Sequence, residues 1–165
     1  MMSGEPDDLL RMAPARLEDR DTQALVAEVQ AEYTLLYGGP DSSPMEPGTF
    51  DPPHGAFVLG RVDGVPVAMG GWRRRSDVPA FGRSAAAEIK RMYVAPAARR
   101  RGFARQVLGH LEETAREAGA DVMVLETGTM QPEAIAMYTA AGYERIADFG
   151  HYSWSPLVRC FGKPL

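Results

Sequence analysis

The sequence carries a single cysteine, Cys160, and only two lysines, Lys90 and Lys163, in 165 residues. One cysteine excludes an intrachain disulfide, and no paired Cys/His spacing points to a structural zinc. No segment approaches the run of about 18 apolar residues that a membrane span needs, and the acidic start MMSGEPDDLL has no apolar signal-peptide core. A reducing cytoplasm fits such a chain. There is no G-x-x-x-x-G-K-[ST], which excludes a P-loop, and no G-x-G-x-x-G after a strand, which leaves a dinucleotide-type Rossmann site unsupported. A net charge of -4 and a pI near 5.4 disfavour general nucleic-acid binding, although Arg73, Arg74, Arg75 and Arg99, Arg100, Arg101 form two local triplets.

Apolar residues are present in ordinary measure: 45% hydrophobic content supports a normal core, and the length predicts one domain over 1–165. After a short strand near 9–13, the segment from Asp19 sets Leu25, Val26, Val29, Tyr33 and Leu36 at spacings of three and four. This predicts an amphipathic helix ending near Gly38. Proline and glycine punctuate GGPDSSPMEPGTFDPPH so densely that a long loop over 38–54 is expected, either a binding loop or a passive excursion. The runs AFVLGRV and VPVAMGGW flank Asp63-Gly64, a hairpin signal, and a second loop, RSDVPAFGRS, leads to the strand AAEIKRMYV. Beyond Gly102, Phe103, Ala104, Val107, Leu108, Leu111, Ala115 and Ala118 form one helical face with Glu112 and Arg116 outside it, and Gly119 stops the helix. DVMVLET reads as a buried strand, PEAIAMYTAAG as a helix, and YERIADF and PLVRCFGKPL as two closing strands. The alternation predicts an α/β domain with a mixed sheet and right-handed crossovers.

In AEIKRMYVAPAARRRGFARQVL three arginines stand between a strand and a glycine that opens a helix. First-turn amides have no intrahelical partner and the helix dipole adds positive charge there, so such a turn binds an anion through main chain, with arginines as outer clamps. The pattern Arg-x-x-Gly-x-Ala over Arg99, Gly102 and Ala104 is a phosphate-cradle candidate, suited to a pyrophosphate. An exposed basic turn is its other reading.

The run EIKRMYVAPAARRRGFARQVLGHLEETAREAG, followed by LETGTMQPEAIAMYTAAGYERI, resembles the GNAT superfamily of acetyl-CoA-dependent N-acyltransferases from about residue 56 to 165. The first block matches the strand, [Arg/Gln]-x-x-Gly-x-[Gly/Ala] turn and helix that hold the CoA pyrophosphate. The second matches a later helix with a tyrosine and a following Gly-Tyr or Gly-Phe. One position departs: the turn arginine is often followed by glycine, where this chain has Arg100. The resemblance implies an α+β fold of GNAT type, with a central mixed, mostly antiparallel sheet of about six to seven strands flanked by helices. Two parallel strands would splay apart at the CoA site. The chain would divide into an acceptor-side helix and loop (14–55), a CoA-binding core (56–142) and closing strands (143–165).

Carried over by residue, the resemblance implies acetyl-CoA as co-substrate and no metal. Main chain of Met92, Tyr93 and Val94 would pair with the pantetheine arm as an added strand, giving exposed backbone groups their partners. Arg99, Arg100, Arg101, Gly102, Phe103, Ala104 and Arg105 would wrap the pyrophosphate. Direct transfer needs a neutral amine, a stabilised oxyanion and a proton for the thiolate. Glu88 is the implied general base, its alternative an ion-paired strand carboxylate. Tyr138 is the implied general acid and sulfur contact, its alternative a core tyrosine. The Met92 amide is the oxyanion donor, and Gln131 is either a CoA contact or a helix cap. Cys160 reads as a small buried hydrophobe, which disfavours a ping-pong thiol mechanism.

The resemblance further implies Tyr33, Tyr37, Trp72, Arg73 and Tyr152 as acceptor walls, with Arg73 able to hold a carboxylate bidentately. The expected acceptor is a small-molecule, amino-acid-like amine. A protein or peptide amine, or a non-catalytic CoA-binding role, are the alternatives. No nucleic-acid or membrane partner is expected, and a homodimer stays open because it is common among relatives.

Overall fold

The computed structural model describes residues 8–165; the stretch MMSGEPD, part of the acidic start read above, lies outside the described residues. Seven strands and three helices follow one another as β1 (Arg11–Pro14), α1 (Arg20–Tyr37), β2 (Gly55–Val62), β3 (Val65–Arg74), β4 (Ala86–Val94), α2 (Phe103–Glu117), β5 (Val122–Gly128), α3 (Pro132–Ala140), β6 (Glu144–Arg145) and β7 (Val158–Pro164). They form one sheet in the order β1-β2-β3-β4-β5-β7-β6, in which only β4 and β5 are parallel. Mixed, mostly antiparallel architecture was expected, and the structure has it.

Local signals account for much of this. Asp63 and Gly64 both take positive φ, 49° and 77°, as a two-residue hairpin turn between right-twisted strands requires. Gly38 ends α1 in the left-handed conformation, its amide bonded to the Thr34 carbonyl. Strand alternation then sorts side chains between two layers. Val58, Ala68, Trp72, Ala87, Ile89, Met123 and Leu125 pack with Val107, Leu108, Leu111 and Ala115 of α2. On the opposite face Phe57, Leu59, Met69 and Tyr93 pack under Leu25 and Val29 of α1.

Two expectations are corrected. YERIADF is not a full strand: the ladder with β7 covers Glu144 and Arg145 and ends at the Ile146 amide, which donates to the Cys160 carbonyl at 3.1 Å. Beyond it the Phe149 amide turns to the Cys160 sulfur at 3.5 Å, and Gly150 at φ 88° carries the chain away from the ladder. Glu112 does not stand outside the α2 face. It is buried, 2.9 Å from Lys163 Nζ on β7 and 3.5 Å from the Tyr143 hydroxyl. Helical spacing alone put Glu112 on the rim, but β7 and Tyr143 cover that rim. Removing one partner of a buried pair leaves an uncompensated charge, so Lys163→Met is expected to lower the urea-unfolding free energy by about 2 kcal/mol. Unchanged stability would mean that the pair is solvated.

Candidate active site

The site begins where pairing stops. β4 and β5 are joined from Ala86 and Val122 as far as Ile89 and Leu125, yet β4 continues to Val94 and β5 to Gly128. The cause lies in β4. Between Met69/Tyr93 and Gly71/Lys90 the ladder to β3 slips by one residue, and Arg91 in this bulge takes φ 58°. The extra residue resets the alternation, so Ile89 and Met92 both face the α2 layer although three apart. It also bends β4 away from β5. The inner edges of the two strands beyond Ile89 and Leu125 are then open to a ligand able to supply strand-like partners.

β4 leads through Pro96–Ala98, a short 3-10 turn, to Gly102, which caps α2 at φ 79° with no side chain capping the helix. A Cβ built on Gly102 would meet nothing within 4 Å, so space stands open before the free first-turn amides. That is the room a pyrophosphate needs, and the residues present fit CoA at this place. Arg100, the departure from the family turn, adopts φ 65° with an exposed side chain, so glycine-type geometry is kept at a local strain of about 1–2 kcal/mol.

Between the splayed strands runs a cavity of about 620 Å³ lined by Tyr33, Tyr37, Arg91, Met92, Glu126 and Tyr138, among others. Tyr138 is buried on α3 with its hydroxyl 3.6 Å from the Met92 sulfur and its ring edge-on to Tyr143 at 5.6 Å. Burial first, then the neighbouring Tyr33, raises its phenol well above the usual tyrosine range, so it keeps its proton. Burial likewise pushes Tyr33 up to about 12, against the opposing pull of Arg91. Tyr37 crosses the mouth: its ring lies over Gly128, which has no side chain to obstruct it, and its hydroxyl is 3.1 Å from Gln131 Oε1.

Residues 22–143 match the family model described as Acetyltransferase (GNAT) family. The chain belongs to the GNAT acetyltransferase family. It is 32% identical over 149 residues to the IAA acetyltransferase of Azospirillum brasilense, covering 90% of this chain and 93% of that one. A Klebsiella pneumoniae structure assigned as an acyl-CoA N-acyltransferase superposes with a TM-score of 0.77 at 28% identity, covering 96% of this chain and 99% of that one. The PaiA N-acetyltransferase of Thermoplasma acidophilum, solved with coenzyme A, shares the fold at a TM-score of 0.68 and 11% identity, covering 95% of this chain and 99% of that one.

Several GNAT-implied side chains stand elsewhere than expected. Trp72 is corrected: it lines neither cavity but lies in the core under α2, its indole N–H donating to Thr114 Oγ1 at 3.0 Å. Its β3 position alternates with Arg73, so the two point to opposite faces. Arg73 lines a second cavity of about 590 Å³, which charged residues such as Arg75, Asp77 and Glu88 also line, and its Nε and NH1 are committed to Glu88 and the Pro44 carbonyl. A free carboxylate clamp is therefore not what it offers. The side chains of Tyr93 and Phe103 are buried, leaving only their main chain for a cofactor. Arg99 reaches back to the Val94 carbonyl and Glu32, and Arg101 to Asp8, while Arg105 is exposed on the first turn. Gln131 makes no side-chain cap to α3 and bonds Tyr37 instead. Cys160 is buried, its thiol pushed up to about 12 chiefly by desolvation, which makes it a poor nucleophile.

Glu88 is almost wholly buried, and its Oε1 accepts from both Arg73 and Arg75 at 2.8 Å. Sequence reasoning missed a second group of residues. Asp41 receives Arg91 at 2.6 Å, Lys90 at 3.4 Å and the Ser43 hydroxyl at 2.5 Å, tying loop 38–54 to β4. Burial works to raise Asp41, but Lys90, Ser43 and Arg91 outweigh it and hold the carboxyl well below the usual range. The Tyr152 hydroxyl accepts the Ser42 amide at 2.7 Å, joining that loop to the last one across the cavity. Glu126, the first β5 residue past the paired segment, also lines the site. A lone carboxylate ending the apolar run VMVLE was its only sequence signal. Among the described residues there is no metal-binding cluster and no helix long and apolar enough to cross a membrane.

Proposed function

We propose that this acetyltransferase uses acetyl-CoA to acetylate the primary amine of a small molecule within a ternary complex. The observation that carries the reading is the end of the β4–β5 ladder at Ile89 and Leu125, combined with an uncapped α2 N-terminus at Gly102 in the same crossover. Acetyl-CoA supplies the activated thioester when bound. The α2 amides would hold the pyrophosphate, and the open β4 edge from Met92 to Val94 the pantetheine amides. The Met92 amide is offered to the carbonyl oxygen as charge develops there. Tyr138 keeps its proton and directs a hydrogen bond toward the leaving sulfur. A thiol titrates near 8.5 and this phenol above 10, so full proton transfer is uphill and hydrogen bonding is its main contribution.

The acceptor assignment draws support from aromatic walls, Tyr33, Tyr37 and Tyr152, set beside the carboxylate of Glu126, whereas Asp41 is already held by Arg91 and Lys90. Such a pocket suits an amine that arrives as a cation with an apolar body. Calorimetric titration with acetyl-CoA, followed by thiol release with 2-phenylethylamine and with a short peptide bearing a free N-terminus, tests this. Micromolar acetyl-CoA binding and turnover of the small amine are expected. Turnover of the peptide alone would replace the acceptor class, and binding without turnover would make the chain a CoA-binding module.

A further inference from the structure

Lys90 and Arg91 are consecutive on β4, yet both reach the same oxygen, Asp41 Oδ2, at 3.4 and 2.6 Å. Neighbours along a regular strand point to opposite faces, so one carboxylate gathers both only because the extra residue of the bulge lies there. We propose that Asp41 is a positioning residue of the cofactor site: by holding Lys90 and Arg91 on one face, it keeps the bulge that parts β4 from β5. This inference rests on the acetyl-CoA reading given above.

Asp41 is fixed from the other side before it meets β4. Its amide donates to Gln30 Oε1 at 2.7 Å and its carbonyl accepts from Gln30 Nε2 at 3.0 Å, which ties the residue to α1. Its Oδ1 accepts from the Ser43 amide at 2.9 Å and from the Ser43 hydroxyl at 2.5 Å. Oδ2 is thereby left to the two cations. With a pair of donors on each oxygen, the lone-pair directions of the carboxylate are filled from within the protein.

The bulge needs such a holder. Arg91 takes φ 58°, a left-handed conformation that strains any residue with a Cβ. The Lys90 and Arg91 side chains are each 8% exposed, and two cations so close and so dry repel unless an anion stands between them. Arg91 Nε is buried and finds no hydrogen-bond partner, so the guanidinium is held through NH1 on Asp41. Without that anion Arg91 is freed to leave the strained angle. The pairing of Tyr93 and Val94 with β3, set out of step by the bulge, then loses its register. The edge from Met92 to Val94, where the pantetheine arm would lie, loses its place with it.

The test follows Asp41→Asn, Arg91→Gly and the double variant Asp41→Asn/Arg91→Gly by calorimetric titration with acetyl-CoA, and by hydrogen exchange of the 86–94 segment without ligand, read by mass spectrometry. Asparagine keeps the size of the side chain and removes its charge. It is expected to weaken acetyl-CoA binding about 30-fold, since only molecules that keep the bulge can bind, and to speed exchange in 86–94 about 10-fold. Glycine adopts φ 58° without strain and brings no charge. Arg91→Gly is therefore expected to bind within about threefold of wild type, and to return Asp41→Asn to about that level in both readouts. A residue that merely anchored its own loop would not be rescued from β4. Wild-type affinity and exchange in Asp41→Asn overturn the proposal, and so does a double variant no better than Asp41→Asn. If Asp41→Asn does not fold, a double variant that folds and binds acetyl-CoA upholds the proposal, and one that also fails to fold overturns it. Wild-type protein that binds no acetyl-CoA sinks the cofactor reading instead, and hydrogen exchange then decides the inference by itself.

Discussion

Gly102→Glu is expected to lower the affinity for acetyl-CoA by more than about 100-fold in a calorimetric titration. A carboxylate set among the first-turn amides of α2 meets a pyrophosphate at close range. At an effective dielectric constant of 20, two like charges about 5 Å apart repel by roughly 3 kcal/mol, which is two decades in affinity. No atom lies within 4 Å of a Cβ at this position, so the side chain enters the ligand's space without disturbing the core. The remaining cost is conformational. Gly102 stands at φ 79°, and a residue with a Cβ there strains the chain by about 1–2 kcal/mol, a drop of a few degrees in Tm. Gly102→Ala carries the same strain without the charge, and is expected to bind acetyl-CoA within about 10-fold of wild type. Arg99→Ala should do less harm than Gly102→Glu, because that guanidinium is already engaged by the Val94 carbonyl and Glu32. Equal affinity in Gly102→Glu and wild type would mean that the anion binds elsewhere.

Tyr138→Phe is expected to reduce kcat by about 100-fold with little change in KM for acetyl-CoA, the pattern of an interaction made mainly in the transition state. The hydroxyl's one hydrogen bond, to the Met92 sulfur at 3.6 Å, is weak, while the ring packs edge-on with Tyr143. Phenylalanine preserves that packing, so the unfolding free energy should change by less than about 1 kcal/mol. Thiol-release kinetics and thermal unfolding by circular dichroism give the two readings separately. If kcat stays within threefold of wild type, Tyr138 is a core tyrosine and the leaving sulfur is stabilised by other groups.

The parts of the site that could be read from the chain are those built by neighbours in sequence. The 99–105 turn is legible because an Arg/Gly-rich crossover followed by an amphipathic helix yields free amides from local backbone geometry alone. The Asp63-Gly64 hairpin is legible for the same reason, as both residues tolerate positive φ. Trp72 shows where such reading fails. The resemblance set it beside Arg73 among the aromatic acceptor walls, but the face on which it falls is set by the register of β3 against β2 and β4. A one-residue change in register exchanges wall for core. Glu112 fails in the same way, since its cover comes from β7, at the far end of the chain.

By itself the sequence determined most of the order of elements, the arginine- and glycine-rich turn that opens α2, the family through its motifs, and the absence of an intrachain disulfide. These depend on periodicity, turn chemistry and residue spacing, all of which act over a few bonds. The tertiary structure alone decided where the β4–β5 ladder ends, that Glu88 is held by Arg73 and Arg75, and that Glu126 stands with a buried oxygen unmatched. A carboxylate's character is set by water, charge and donors within a few ångströms, and those neighbours come from β3, β4, β7 and the loop after α1, brought together only when the sheet closes.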